Sequence, residues 1–239
     1  MGREVKKAAL EGDFRIVASV DRVNGEYRDI SSVRVNADVI LDFSHHEGTG
    51  ATLAYARMQG IPAIICATGH TPDELEMINA YGEDTAVFRS GNMSLGVSVM
   101  CALCAKAAAA LGDFDIEITE THHRNKLDAP SGTALMLLDE IKAALPGDVN
   151  TVTDRTGRRE VRPKGEIGVH SRRGGSVIGE HEVTFYGRGE SLTVKHTAQG
   201  RELFAKGALR AAEFMKGKAP GLYGMKELLL ETELSDKRV

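Results

Sequence analysis

Three shortages bound this 239-residue chain before any motif is read: few cysteines, no membrane-length apolar run, and no excess of positive charge. Cys66, Cys101 and Cys104 are the only cysteines. An odd, low count fits a reducing compartment rather than a disulfide scaffold. No apolar run reaches the roughly 20 residues that a bilayer requires. The longest, 94–111, is broken by Gly96 and carries Lys106. Arg3, Lys6 and Lys7 are not followed by the apolar stretch of a signal peptide. The expectation is a cytoplasmic protein without membrane contact. A net charge of -4 gives no electrostatic case for nucleic acid. Internal repeats and low-complexity tracts are also missing. What is present is ordinary: 42% apolar and 27% charged residues, in a length that suits one large domain or two modest ones.

The first half alternates strand and helix. Helical patterns cover 2–11, 48–59 and 72–81, the last with Thr71 as its N-cap. Strand-like runs cover 14–20, 37–43, 61–67 and 85–88. Near-continuous apolar strands separated by helices predict a parallel sheet covered on both faces. Ligands of such sheets bind beyond the carboxyl ends of the strands. From 94 the pattern changes. A long helix (94–111) precedes an alternating strand (113–121), a basic loop and a helix over about 132–145. After an Arg-rich stretch, strand-like segments near 165–171, 176–187 and 190–197 suit an antiparallel or mixed sheet, open enough to face a partner. A helix over 200–216 follows. By pattern the chain is an α/β part to about 93 and an α+β part to about 203, and the terminal segment can pack on either.

Several strand ends carry residues that suit a bound dinucleotide. Asp21 closes V-A-S-V-D-R, where an acidic side chain can accept from ribose hydroxyls. Arg22 beside it could meet a 2′-phosphate, so the pair leaves the choice of NADH or NADPH open. The turns 66–69 (C-A-T-G) and 90–93 (S-G-N-M) are built of small residues that admit close backbone approach. Asp42-Phe43-Ser44 ends another strand at the same edge. Taken singly, Asp21 reads more readily as a solvated strand end, and the two turns read equally well as plain turns. The pair His45-His46 reads as surface or strand-end. Cys101 and Cys104 have C-x-x-C spacing, but no further Cys or His lies close by, so they read as buried helix residues.

The most informative stretch is 122–133, H-H-R-N-K-L-D-A-P-S-G-T. Its spacing does not suit a metal, because Lys126 would repel one and no third ligand is obvious. Crowded cations disfavour the charged forms of His122, His123 and Lys126, which favours proton donation near neutral pH. Pro130 sets the entry to a helix and Ser131 is its expected N-cap. The first-turn N–H groups of Gly132 and Thr133 are then expected to face outward to an anion. A solvated basic loop is the bland alternative. Together the cations and the helix N-terminus describe a site for a small carboxylated molecule.

E-I-T-E-T-H-H-R-N-K-L-D-A-P-S-G-T-A (117–134) resembles the signature of the dihydrodipicolinate (4-hydroxy-tetrahydrodipicolinate) reductase family. V-I-L-D-F-S (39–44), A-T-G (67–69), S-G-N-M-S-L-G-V (90–97), G-E-H-E-V (179–183), H-T-A (196–198) and G-L-Y-G-M (221–225) extend the resemblance over essentially the whole chain. It implies an α/β protein: a Rossmann-like parallel-sheet domain over 1–93 and 204–239, and an α+β substrate and tetramerisation domain over 94–203. It implies a homotetramer that reduces a cyclic conjugated imine dicarboxylate with NADH or NADPH. By the same resemblance His122 is proton donor and acceptor and Lys126 proton donor. His123, Gly132 and Thr133 bind substrate. Asp21 and Arg22, Cys66, Ala67 and Thr68, and Ser90, Gly91, Asn92 and Met93 line the cofactor. No metal is expected.

The resemblance also shows departures. The family opens with a strand and a glycine-rich turn ending G-x-M-G, and Met1-Gly2 look like the end of that turn. The first strand is therefore expected to be missing, at a cost in stability and cofactor affinity. A truncated homologue that binds or scaffolds without reducing is the alternative expectation. Cys66-Ala67 stand where the family uses glycine and threonine.

Overall fold

The computed structural model describes residues 1–236. The chain forms two compact units: Gly96–Gly200, and Met1–Leu95 with the described residues from Arg201 onward.

The first unit opens with helix α1 (Gly2–Leu10), followed by β1 (Ile40–Asp42), α2 (Thr49–Gln59), β2 (Ala63–Ile65), α3 (Pro72–Tyr81) and β3 (Ala86–Arg89). The local signals act as expected. Thr71 and Glu74 cap α3 reciprocally: Glu74 N–H donates to Thr71 Oγ1 at 3.3 Å, and Thr71 N–H to Glu74 Oε2 at 2.7 Å. Gly60, at φ 65°, ends α2. The three strands are parallel, with Asp42 in register with Ile65 and Ile65 with Arg89. Their carboxyl ends therefore finish flush. β2 is buried along its whole length, which explains its unbroken apolar run.

Residues 14–20 correct the sequence reading. No strand forms there; only Val20 bridges, to Tyr27. Ile16 and Val20 are exposed. β1 is an edge of the described sheet, and β-propensity alone does not make a strand where no neighbouring backbone completes the ladder.

The second unit contains α4 (Leu95–Ala110), β4 (Asp115–His122), α5 (Gly132–Ala144), β5 (Asn150–Val152), β6 (Glu166–Arg173), β7 (Gly179–Tyr186) and β8 (Ser191–Ala198). The sheet order is β5-β6-β4-β7-β8, with β4 parallel to β6 and antiparallel to β7. On β4 alternate residues are buried: Ile116, Ile118, Glu120 and His122. Ile116 and Ile118 join Met100 and Cys104 of α4, Leu137 and Ile141 of α5, and Phe185 of β7 in one apolar core. The other phase of β4 carries Glu117, Thr119 and Thr121, in register with Gly168, His170 and Arg172 of β6 and with Thr184, Glu182 and Glu180 of β7. That face is polar. Glu117 there accepts from Arg155 at 2.8 Å and meets His170 Nε2 at 2.7 Å. A Cβ on Gly168 would fall 1.8 Å from the Glu117 carboxylate, so glycine is what this ion cluster tolerates.

The chain then returns to the first unit as α6 (Glu202–Met215), β9 (Gly221–Tyr223) and α7 (Met225–Asp236). The alanine-rich α6 is a thin spacer. Ala205 and Leu209 pack on Val5, Ala8 and Ala9 of α1, and Ala208, Ala211 and Met215 pack with Ile64, Phe88 and Met93. Gly207 presses its backbone against the 90–93 turn: a Cβ there would lie 1.8 Å from the Met93 carbonyl oxygen. β9 pairs with β3 and completes the order β1-β2-β3-β9.

Candidate active site

In the second unit the site grows from the end of β4. Alternation along the strand puts Glu120 and His122 on the buried face, two residues apart. Glu120 has no exposed surface. Its Oε2 meets His122 Nδ1 at 2.6 Å. Arg173, at the end of β6, donates from Nη1 to Oε2 and from Nη2 to Oε1, both at 2.8 Å. The Ser131 N–H donates to Oε1 at 3.1 Å. Burial pushes the Glu120 pKa up, but hydrogen bonds from Arg173, His122 and Ser171 outweigh burial and hold it at about 2. The carboxylate is therefore a fixed anion.

Ser131 also caps α5, as expected: its Oγ accepts from the Ala134 N–H at 3.2 Å and lies 3.0 Å from His181 Nε2. The His181 ring stands edge-on to that of His122, with centroids 5.1 Å apart. Burial, and then the neighbouring His122, push the His181 pKa down to about 4. A Cβ built on Gly132 meets nothing within 4 Å, so the N-terminus of α5 opens onto free space. On the adjoining loop the Lys126 ammonium lies 2.8 Å from Asp128 Oδ1. That contact, led by the Lys126 hydrogen bond, holds the Asp128 carboxyl below its usual range.

The structure thus brings His122, Ser131 and the start of α5 together through Glu120. It corrects the picture of bare crowded cations, because His122 and Lys126 each face a carboxylate. His123 is half-buried in the loop, where its carbonyl accepts from the Lys126 N–H at 3.1 Å. Glu120, Arg173 and His181 were not singled out by residue reasoning. The detectable signal was a glutamate in the buried phase of an alternating strand.

In the first unit the flush strand ends place the expected turns side by side. Gly91 lies opposite Thr68, 3.9 Å from its methyl to a built Cβ. Ser90 Oγ donates to the Asn92 carbonyl at 2.7 Å and accepts from the Asn92 N–H at 3.2 Å, which closes the turn. The side chains of Ala67 and Met93 are buried in apolar clusters, so only their backbones are open to a ligand. Cys66 is half-buried, and burial pushes its thiol pKa up. Asp42 accepts from the Ser44 N–H at 2.8 Å through Oδ1, while its buried Oδ2 has no partner. Asp21 and Arg22 lie on a separate exposed turn. Asp21 Oδ1 holds that turn through the N–H groups of Val23 and Asn24, at 2.8 and 2.9 Å. His46, read as surface or strand-end, lies just beyond β1 and is tied to Glu74 at 2.8 Å.

Comparison with known proteins follows the same division. Two family models match: "Dihydrodipicolinate reductase, N-terminus" over residues 1–93, and "Dihydrodipicolinate reductase, C-terminus" over 96–229. A 4-hydroxy-tetrahydrodipicolinate reductase of Caldanaerobacter subterraneus subsp. tengcongensis is 44% identical, over 96% of this chain and 94% of that protein. One from Clostridium tetani is 41% identical, over 94% and 91%. Among solved structures, a dipicolinate-bound dihydrodipicolinate reductase from Paenisporosarcina sp. TG-14 superposes with a TM-score of 0.73 at 24% identity, covering 94% of this chain and 93% of that one. A probable dehydrogenase from Thermotoga maritima gives 0.58 at 10%, covering 95% and 89%. Both share the fold.

Proposed function

Because the chain belongs to the dihydrodipicolinate reductase family, we propose that it reduces 4-hydroxy-tetrahydrodipicolinate to tetrahydrodipicolinate with NADH or NADPH, a step of lysine and diaminopimelate synthesis. The observation that carries this reading is the buried Glu120–His122 pair at the open N-terminus of α5, with Lys126 on the adjoining loop. Loss of water, which takes the 4-hydroxyl, gives the conjugated cyclic imine, and reduction of that imine adds one hydride and one proton. The nicotinamide, when bound, supplies the hydride. The electron-rich enamine that results must then be protonated at carbon, and His122 and Lys126 are the residues that hold protons for it. His123 and the N–H groups of Gly132 and Thr133 bind the substrate, whose two carboxylates suit a cation beside a helix N-terminus.

Residues 1–93 and 204–239, of which 237–239 lie outside the described residues, form the dinucleotide-binding domain in this reading, and 94–203 the substrate and oligomerisation domain. The edge of the first sheet fits a dinucleotide. Two small-residue turns adjoin there, and the unpartnered Asp42 Oδ2 is an acceptor at the same edge. Cys66, Ala67, Thr68 and Ser90–Met93 would hold the nicotinamide end. Asp21 would meet ribose hydroxyls, and Arg22 a 2′-phosphate if one is present. Three free thiols suit a cytoplasmic protein.

The test is oxidation of NADH and NADPH, followed spectroscopically, with enzymatically generated substrate. Consumption that depends on substrate is expected, and the ratio of kcat/KM for the two cofactors fixes the preference. No consumption with either cofactor would sink the reading and leave a binding or scaffolding homologue.

A further inference from the structure

Beyond the assignment of His122 as proton donor, on which its kinetic consequence rests, we propose that Glu120 is a positioning residue. Clamped by Arg173 and the Ser131 N–H, it fixes His122 in the tautomer that carries Nδ1–H, so that Nε2 is the atom that takes up and delivers the proton. An ionised carboxylate only accepts, so the 2.6 Å contact requires Nδ1 to be the donor. The clamp removes the freedom of an ordinary glutamate. Oε1 accepts from Ser131 N–H and Arg173 Nη2, and Oε2 from Arg173 Nη1 and His122. Paired N–H donors on both oxygens prevent the carboxylate from turning. The far side of the ring is kept clear as well. Gly179 begins β7 beside it, and a Cβ there would lie 3.1 Å from Nε2. The charged and titratable groups around the pair are Arg173 on β6, His181 on β7, His196 on β8, and Lys126 and Asp128 on the loop.

A purely architectural role for Glu120 would not select a tautomer, and that difference supplies the test. Side-chain nitrogen NMR of the unliganded protein should show His122 protonated at Nδ1, with a strongly downfield Nδ1 proton. In Glu120→Gln one acceptor becomes a donor facing Arg173 or His122. The downfield proton should disappear and a mixture of tautomers should replace it. In the reductase assay kcat should fall about 10- to 100-fold, less than on losing the acid itself, with KM within about threefold. Glu120→Asp should recover part of the loss. Gly179→Ala, which touches no charge, should keep the Nδ1 proton while lowering kcat. A wild-type His122 that carries its proton on Nε2 and none on Nδ1 overturns the proposal, and so does a folded Glu120→Gln with native turnover. If Glu120→Gln does not fold, the wild-type tautomer decides alone. That measurement needs no substrate, so a protein without reductase activity would refute the proposed function while the role of Glu120 was still decided.

Discussion

His181 is buried and neutral, its pKa pushed from 6.5 down to about 4, first by burial and then by His122. In the unfolded chain the same imidazole takes up a proton near 6.5. Above that pH neither state is charged and folding suffers no penalty. As pH falls from 6.5 to 4 the unfolded state gains protons that the native state resists, so stability drops by roughly 3 kcal/mol and then levels. Urea midpoints between pH 4 and 7 should show this slope, and His181→Gln should flatten it. Glu120 acts lower on the scale. Its carboxyl is held near 2 against an ordinary 4.5, so its contribution is intact above 4.5 and is lost as pH falls towards 2. For the chemistry, His122→Ala or Lys126→Ala should each reduce kcat by about 10²–10⁴-fold, the loss expected when a general acid is removed. Near-native turnover in both variants would take them out of the mechanism.

Helices and turns whose signals are local were readable in advance. Thr71, and Ser131 ahead of Gly132, each announce a helix start, and both caps form, the first with Glu74 as a reciprocal partner that the structure adds. Signals that depend on distant partners were not. Residues 14–20 have strand composition but no ladder neighbour. β5, β9 and α7 carry short patterns whose burial is decided by elements far along the chain. Arg173 reaches Glu120 only because β6 runs parallel to β4, 53 residues away in sequence, a pairing no local pattern encodes. Gly207 shows the same limit, since its role comes from the Met93 carbonyl. Gly207→Ala should cost about 1–3 kcal/mol or more in denaturant unfolding, because α6 or the 90–93 turn has to give way. It should also weaken NADH binding measured by calorimetry. Unchanged affinity in a destabilised variant would separate that turn from the cofactor.

At the scale of the molecule, each unit has its own apolar core, and the polar face of the second sheet is the surface on which we place self-association. Light scattering should give four copies. Glu182→Lys, which sets a cation beside Lys195 in register on β8, should shift the population to smaller species. Four copies retained in that variant would move the interface elsewhere. The three cysteines add a practical consequence. Burial pushes Cys101 to about 11 and Cys104 to about 12, and it raises Cys66 as well. At neutral pH none of them offers iodoacetamide or a maleimide the thiolate it attacks. A single cysteine introduced on an exposed loop would then be the fastest-labelling thiol in the natural background, so a dye or spin label can be placed without first removing the native three.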